Sequence, residues 1–405
     1  MKRRLLALGA VLGPGLLAGL SDDDPAGITT YSILGARYGY SLLWVLAVST
    51  VALILFHEVG ARMGVVTGKG LIALARERHG MLVTRLVLVA LLVANLGTTC
   101  AELAGIAAGM GLAGVPRGIS VPVAVVLVCA LLMRGSFRRV EHVLIALGAV
   151  FVSYIAAGIL AHPDWGAAAK GLVVPTIPGT RDGILVIVAT VGTTLAPWGL
   201  AFLQSYTVDK HLLTTQLRAE RVDVVIGAVL TGVIGAFVVV ACAATLHPKG
   251  IRINDARDAA VALRPVAGSL AQTLFAVGLV GAALLATAVL PLATAYSVCE
   301  AAGVEAHIDR GPREEPLFYG TVTATLVLAG GLVLIPGAPR ISILFLSQAL
   351  NAVLLVPILW FIRRLARDRS LMGDAALSGV DRVATGIALA GITVSVVALG
   401  VLSVF

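Results

Sequence analysis

The chain has 405 residues, 59% of them hydrophobic and 13% charged, with a net charge of +8. Soluble domains carry about 25% charged residues, so this composition, with a mean hydropathy of +0.99, excludes a soluble globular protein and implies an integral membrane protein. Apolar runs of about 17 residues or more call for helices and exclude a membrane barrel of ~10-residue alternating strands, and basic residues scattered among the loops exclude a nucleic-acid patch.

The first apolar run spans 5–36. Lys2-Arg3-Arg4 before it resembles the start of a signal peptide, but no small-residue cleavage site precedes the acidic cluster that follows, so the run reads as a first span. Inside it stand Gly13-Pro14-Gly15 and then Ser21-Asp22-Asp23-Asp24-Pro25-Ala26-Gly27. A charge at bilayer depth costs about 2.5–3.5 kcal/mol on insertion scales. Three adjacent aspartates therefore call for water, a cation, a proton or a partner. Aspartate is a good N-cap and proline suits the first helical position, so a second half-helix is predicted to begin at Asp24-Pro25. Asp24 as a cap alone is the competing reading; capping needs one carboxylate, and here there are three. Asp22 and Asp23 either touch an ion or line a water-filled entry.

Further spans are predicted at 41–66, 83–113, 119–133, 140–161, 183–207, 220–246, 268–302, 317–336, 341–362 and 383–404, which makes eleven. With the N-terminus in the cytoplasm, 21 of the 30 Lys and Arg fall on the cytoplasmic side and 9 opposite, as the positive-inside rule requires. The run at 183–207 is interrupted by Gly192-Thr193-Thr194-Leu195-Ala196-Pro197-Trp198-Gly199. Two broken spans, five spans apart, form the pattern of an inverted repeat around a central site. Residues 1–161 are then the first repeat, 183–362 the second and 383–404 an additional span, in one transmembrane domain.

Other polar residues within spans are fewer. Glu102 either carries a proton or bonds a neighbouring helix. His57-Glu58 and Glu141-His142 are predicted as gate or interfacial contacts. Trp198 either packs against the first span or narrows the passage. Cys100, Cys129, Cys242 and Cys299 are far apart and read as small buried apolar residues. The chain contains no nucleophile elbow, P-loop, zinc signature or dinucleotide fingerprint, so an enzyme is not expected and no cofactor is called for.

Several segments carry a resemblance. Asp24-Pro25-Ala26-Gly27, the stretch from Gly35 through Trp44 to Leu46, Gly64-Val65-Val66-Thr67-Gly68-Lys69-Gly70-Leu71 and Arg76-Glu77-Arg78 resemble the Nramp family (solute carrier family 11). So do Gly192 to Ser205, Phe275 to Gly278 and Leu346-Ser347-Gln348. The resemblance implies an all-α, LeuT-like fold of eleven or twelve spans, broken in spans one and six, and carriage of divalent metal, often with protons. The family's first-span Asp-Pro-Gly-Asn ends here in Gly27, and its sixth-span Met-Pro-His reads Ala196-Pro197-Trp198. Of two span-three acids only Glu102 remains, with Thr99 at the other position. Gln348 is retained in span ten, with Asn351 one turn on.

The lost thioether weakens the case for a soft-metal site. Carboxylates with Thr193, Thr194 and backbone carbonyls make a hard oxygen set that suits Mg²⁺, which keeps much of its water. Gly27 and Ala196 leave room for that water. A magnesium-carrying branch of the family also lacks the methionine. The leading expectation is a monomeric secondary transporter in the cell membrane, moving Mg²⁺ first and Mn²⁺ next through Ser21, Asp22, Asp23, Asp24, Gly27, Thr193, Ala196 and Gln348. Glu102, Thr99, Trp198 and Asn351 would line a proton or polar pathway. Two alternatives keep the fold: carriage of a small solute or inorganic anion, or a non-transporting sensor. The chain ends at Phe405 just after its last predicted span, with no output domain, which counts against the sensor.

Overall fold

A computed structural model describes residues 14–133, 152–253, 258–259, 268, 271–336 and 340–404. The basic N-terminus Lys2-Arg3-Arg4 and the Glu141-His142 pair lie outside the described residues. Every regular element among those described is helical. The first predicted span is two helices, α1 (Pro14–Asp22) and α2 (Pro25–Tyr38). Then come α3 (Leu43–Thr67), α4 (Leu71–Leu112), α5 (Arg117–Met133), α6 (Val152–Leu160) and α7 (Trp165–Val173). The sixth predicted span is again divided, into α8 (Arg181–Thr194) and α9 (Pro197–Asp209). The remainder are α10 (Leu217–Thr245), α11 (Ala271–Ala302), α12 (Pro316–Leu334), α13 (Arg340–Ala366), α14 (Arg369–Met372) and α15 (Gly379–Val404).

Among the described residues eight helices are long and apolar enough to cross a membrane. The three other predicted spans fall short for separate reasons. The first, described only from Pro14, carries three adjacent aspartates, α5 has only 17 residues, and the first half of 140–161 lies outside the described residues. α4 begins twelve residues before the predicted 83, because the helix resumes directly after Gly80 (φ 76°). Glycine tolerates that left-handed angle at little cost, so a short entry helix and a full span are joined end to end.

The two divided helices lie at the centre. α8 packs on α13 and α2, α1 on α10 and α9, and α4 on α11. The most apolar stretch of the α8–α9 span is 94% buried, against 11% for α15. The inner position belongs to the broken spans, and α15 presents its surface to lipid. Val48, Val51, Leu82, Leu86, Val89, Ile387 and Val394 are all exposed. Apolar outer faces of this kind need a hydrocarbon solvent.

At one mouth, where α2 ends, Arg37 pairs with Asp182 at 2.6 Å and the Trp44 indole donates to the Thr176 carbonyl at 3.0 Å. α7 lies across α3 there. At the other mouth, where α3 ends, a cavity of about 980 Å³ is lined by residues that include Lys69, Ser205, Asp209, Tyr296 and Glu300.

Candidate cation site

The break in the first span lies where the sequence places it. α1 ends at Asp22, Asp23 is non-helical, and Asp24 takes an extended backbone (φ −72°, ψ 169°) as N-cap of α2. Its carboxylate accepts from the Gly27 N–H at 2.5 Å. Proline at the next position has no N–H to satisfy, so Asp24-Pro25 starts the helix twice over. The second break is built the same way. α8 stops at Thr194, Leu195 leaves the helical region, and Ala196-Pro197 opens α9. Ala196 has no side-chain oxygen to give and makes no side-chain cap.

The two breaks meet. Tyr31 OH on α2 lies 3.0 Å from Thr194 Oγ1 at the end of α8. Gly27 is where their oxygens converge. At the position a Cβ on Gly27 would take, the Asp22 carbonyl oxygen is 3.0 Å away, Thr193 Oγ1 3.0 Å and Asp24 Oδ1 3.2 Å. A carbonyl, a hydroxyl and a carboxylate thus surround one small volume, and Thr193 Oγ1 has no hydrogen-bond partner. The volume exists because residue 27 has no side chain.

Ser21, Asp22, Asp23 and Asp24 are at most 3% exposed, so Asp22 and Asp23 do not line an open entry in this conformation. Both carboxylates lack a hydrogen-bond partner. Their shielded environment is costly for a charge without a counter-ion. Glu102 on α4 is fully buried, and its carboxyl group faces that of Asp24 at hydrogen-bonding range. Among the described residues no three His, Cys, Asp or Glu side chains converge as a metal cage. An ion here would draw on carbonyl, hydroxyl and water oxygens as much as on carboxylates.

The remaining predicted residues divide. Thr99 Oγ1 bonds back to the Asn95 carbonyl at 2.7 Å, a contact within its own helix. The Gln348 carboxamide accepts from Asn351 Nδ2 at 3.1 Å, and the same nitrogen donates to Thr98 Oγ1 at 3.0 Å. These groups link α13 to α4. The α13 backbone at Gln348 also packs on Gly192, beside Thr193. Trp198 is fully buried and packs in the core. His57 and Glu58, read together as interfacial contacts, part company. Glu58 pairs with Arg62 and, at 2.8 Å, with Arg221, whereas His57 is buried with both ring nitrogens unpartnered.

The residues not anticipated are Tyr31, Thr98 and Gly199. Tyr31 had a signal: it stands seven residues beyond Asp24, two turns along the same helical face. His57 was singled out only with Glu58; nothing in the sequence separates the buried imidazole from the ion-paired carboxylate beside it.

The chain matches the family described as "Natural resistance-associated macrophage protein-like" over residues 15–402. It is 29% identical over 377 residues to the Divalent metal cation transporter MntH of Pectobacterium carotovorum subsp. carotovorum, covering 90% of this chain and 87% of that one. In structure it resembles the Eremococcus coleocola manganese transporter, with a TM-score of 0.81 at 19% identity over 98% of this chain and 87% of the other. MhsT in complex with L-phenylalanine gives a TM-score of 0.60 at 15% identity, over 98% of each chain. These likenesses fix the fold as the LeuT-like arrangement with its two broken helices. Matched along nearly its whole length, the chain belongs to the Nramp family, a family of multi-pass membrane transporters and not of enzymes.

Proposed function

We propose that this chain is a secondary transporter of a divalent metal cation, with Mg²⁺ preferred and Mn²⁺ next, working by alternating access. The observation that carries the reading is the oxygen cradle at Gly27, formed by the Asp22 carbonyl, Thr193 Oγ1 and Asp24 Oδ1. An all-oxygen set suits a hard cation that keeps part of its hydration shell. The missing thioether at Ala196 removes the group that would favour softer ions. The related MntH and manganese transporters support the divalent class. The two unpartnered aspartates oppose an anion or a neutral solute, which would leave their charge unbalanced.

In this reading residues 1–161 and 183–362 are two inverted repeats, and 383–404 is an extra span. The matching breaks at Asp24 and Ala196 support the division. Basic residues place the N-terminus in the cytoplasm, so the 980 Å³ cavity where α3 ends is the cytoplasmic vestibule. Glu102, facing Asp24, is the group through which a proton would be coupled. The protein acts as a monomer. Uptake of Mg²⁺ and Mn²⁺ into proteoliposomes tests the reading. Flux abolished by Asp24→Ala supports it, and equal flux in wild type and variant removes its basis.

A further inference from the structure

Buried polar groups are almost always hydrogen-bonded, and a neutral imidazole has one donor and one acceptor to satisfy. His57 exposes 1% of its surface and satisfies neither. Asp22 exposes 1%, and neither carboxylate oxygen has a partner. The two groups are neighbours across Gly199, in the first turn of α9. At the point where a Cβ on Gly199 would lie, Asp22 Oδ1 is 3.4 Å away, His57 Nε2 3.5 Å and Asp22 Oδ2 3.9 Å. Apart from the adjoining residues and the backbone of α9 itself, no other atom comes as close to that point. A carboxylate and an imidazole lone pair both seek a positive centre. Both donors thus border one small volume beside Gly199, within reach of a single cation by side-chain rotation or through one bound water.

We infer that His57 and Asp22 form a second divalent-cation position beside Gly199, with one nitrogen and one carboxylate donor. Its preference is for borderline transition ions such as Co²⁺ and Ni²⁺ over Mg²⁺, because imidazole suits those ions and hard cations favour oxygen. The inference rests on the proposed cation transport and adds a second donor set to it. Asp22 belongs to both positions: its carbonyl oxygen faces Gly27 and its carboxylate faces Gly199. A cation moving between them stays in contact with one residue throughout. The thioether is absent from the α9 break, and selectivity among transition ions then resides on α3.

Calorimetry with Co²⁺ alone and Mg²⁺ alone, on the purified full chain, tests the position. His57→Gln lowers Co²⁺ affinity at least about tenfold, as expected for losing a nitrogen ligand, and leaves Mg²⁺ affinity within about twofold. Gly199→Ala acts in the same direction. Its methyl makes ordinary contacts at 3.4 Å or more, so it occupies the volume without disturbing the fold. Equal Co²⁺ affinity in wild type and both variants overturns the inference. Wild type that binds neither ion overturns the transport reading instead. A measurement that leaves His57 and Gly199 intact is the cobalt X-ray absorption edge of the chain carrying His211→Gln and His307→Gln, which removes two histidines that line the vestibule. An imidazole in the metal's first shell is expected, and a shell of oxygen alone overturns the inference.

Discussion

Tyr31 OH and Thr194 Oγ1 lie 3.0 Å apart in the buried centre of the protein and join the two broken spans to each other. Thr194 Oγ1 also donates to the Thr190 carbonyl at 2.8 Å, so its proton is already committed. Tyr31 is therefore the donor in the link between α2 and α8. Its hydroxyl sets how the two breaks face one another, and hence the spacing of Asp24 and Thr193 around Gly27.

Tyr31→Phe removes that link and leaves Thr194 its intrahelical bond. A buried hydrogen bond contributes about 0.5–1.5 kcal/mol net, so the thermal midpoint in detergent falls by only a few degrees. Cation affinity falls further in proportion, because cradle geometry and not the fold depends on the bond. The check is a thermal scan beside calorimetry with Mg²⁺. A large loss of stability with unchanged affinity contradicts the assignment.

Asp24 has two roles, and asparagine separates them. Asparagine caps a helix about as well as aspartate, whereas alanine forfeits about 1 kcal/mol. Asp24→Asn thus retains the α2 start with its Gly27 N–H bond, and Asp24→Ala loses it. Both remove the charge. Flux of Mg²⁺ into proteoliposomes is expected to vanish in both, while the melting temperature drops only in the alanine variant. Retained flux in Asp24→Asn would mean that the carboxylate serves the helix and not the ion.

Much of this arrangement is legible in the sequence because the signals are local. Proline favours the first turn of a helix and aspartate before it the cap, and Asp24-Pro25 and Ala196-Pro197 stand within a residue of the observed breaks. Runs of apolar residues set the spans, and where the ends fall among the described residues they agree with the helices to within a few residues except at Gly80, whose backbone angle lets α4 begin early. The side-chain geometry is not legible. Nothing in the order of residues says that the Asp22 carbonyl and carboxylate face different glycines, or that Gln348 spends its carboxamide on Asn351. These follow from the packing of helices distant in the chain, and the adjacent polar pair His57-Glu58 on α3 does not reveal that its two side chains part, one to the interior and one to Arg62 and Arg221.

Residues 27 and 196 shape the donor set, so substitutions there are expected to have separable effects: restoring the family's methionine at 196 changes selectivity, and filling position 27 does not. Ala196→Met places a thioether at the α9 break, and soft donors favour Mn²⁺ and Cd²⁺ relative to Mg²⁺. The ratio of Mn²⁺ to Mg²⁺ flux is expected to rise about tenfold. Gly27→Ala acts differently. Its Cβ would stand 3.0 Å from both the Asp22 carbonyl and Thr193 Oγ1, tighter than ordinary contact, and it fills the cradle. Transport of both ions should fall together. Competition assays in which Mn²⁺ and Mg²⁺ are offered at equal concentration distinguish the two outcomes.

A third set of contacts lies in the cavity at the mouth where α3 ends. Glu300 at the end of α11 accepts from Ser205 Oγ on α9 at 2.5 Å and from the N–H groups of Ile72 at 3.0 Å and Ala73 at 3.3 Å. It thereby satisfies the exposed donors at the start of α4 and ties three helices together, much as a capping side chain would. Gly70 has no side chain to obstruct it; a Cβ there would collide with the Glu300 carboxylate. Removing a partner from buried donors costs about 1–3 kcal/mol, so Glu300→Ala is expected to loosen this mouth while the opposite one, held by Arg37 and Asp182, stays shut. Cys299 is fully buried beside the latch and reports on it. With Cys100, Cys129 and Cys242 replaced by alanine, maleimide labelling of Cys299 should accelerate severalfold in Glu300→Ala and less in Glu300→Gln, which keeps one acceptor oxygen. Identical labelling rates in all three proteins would show that the carboxylate holds nothing closed.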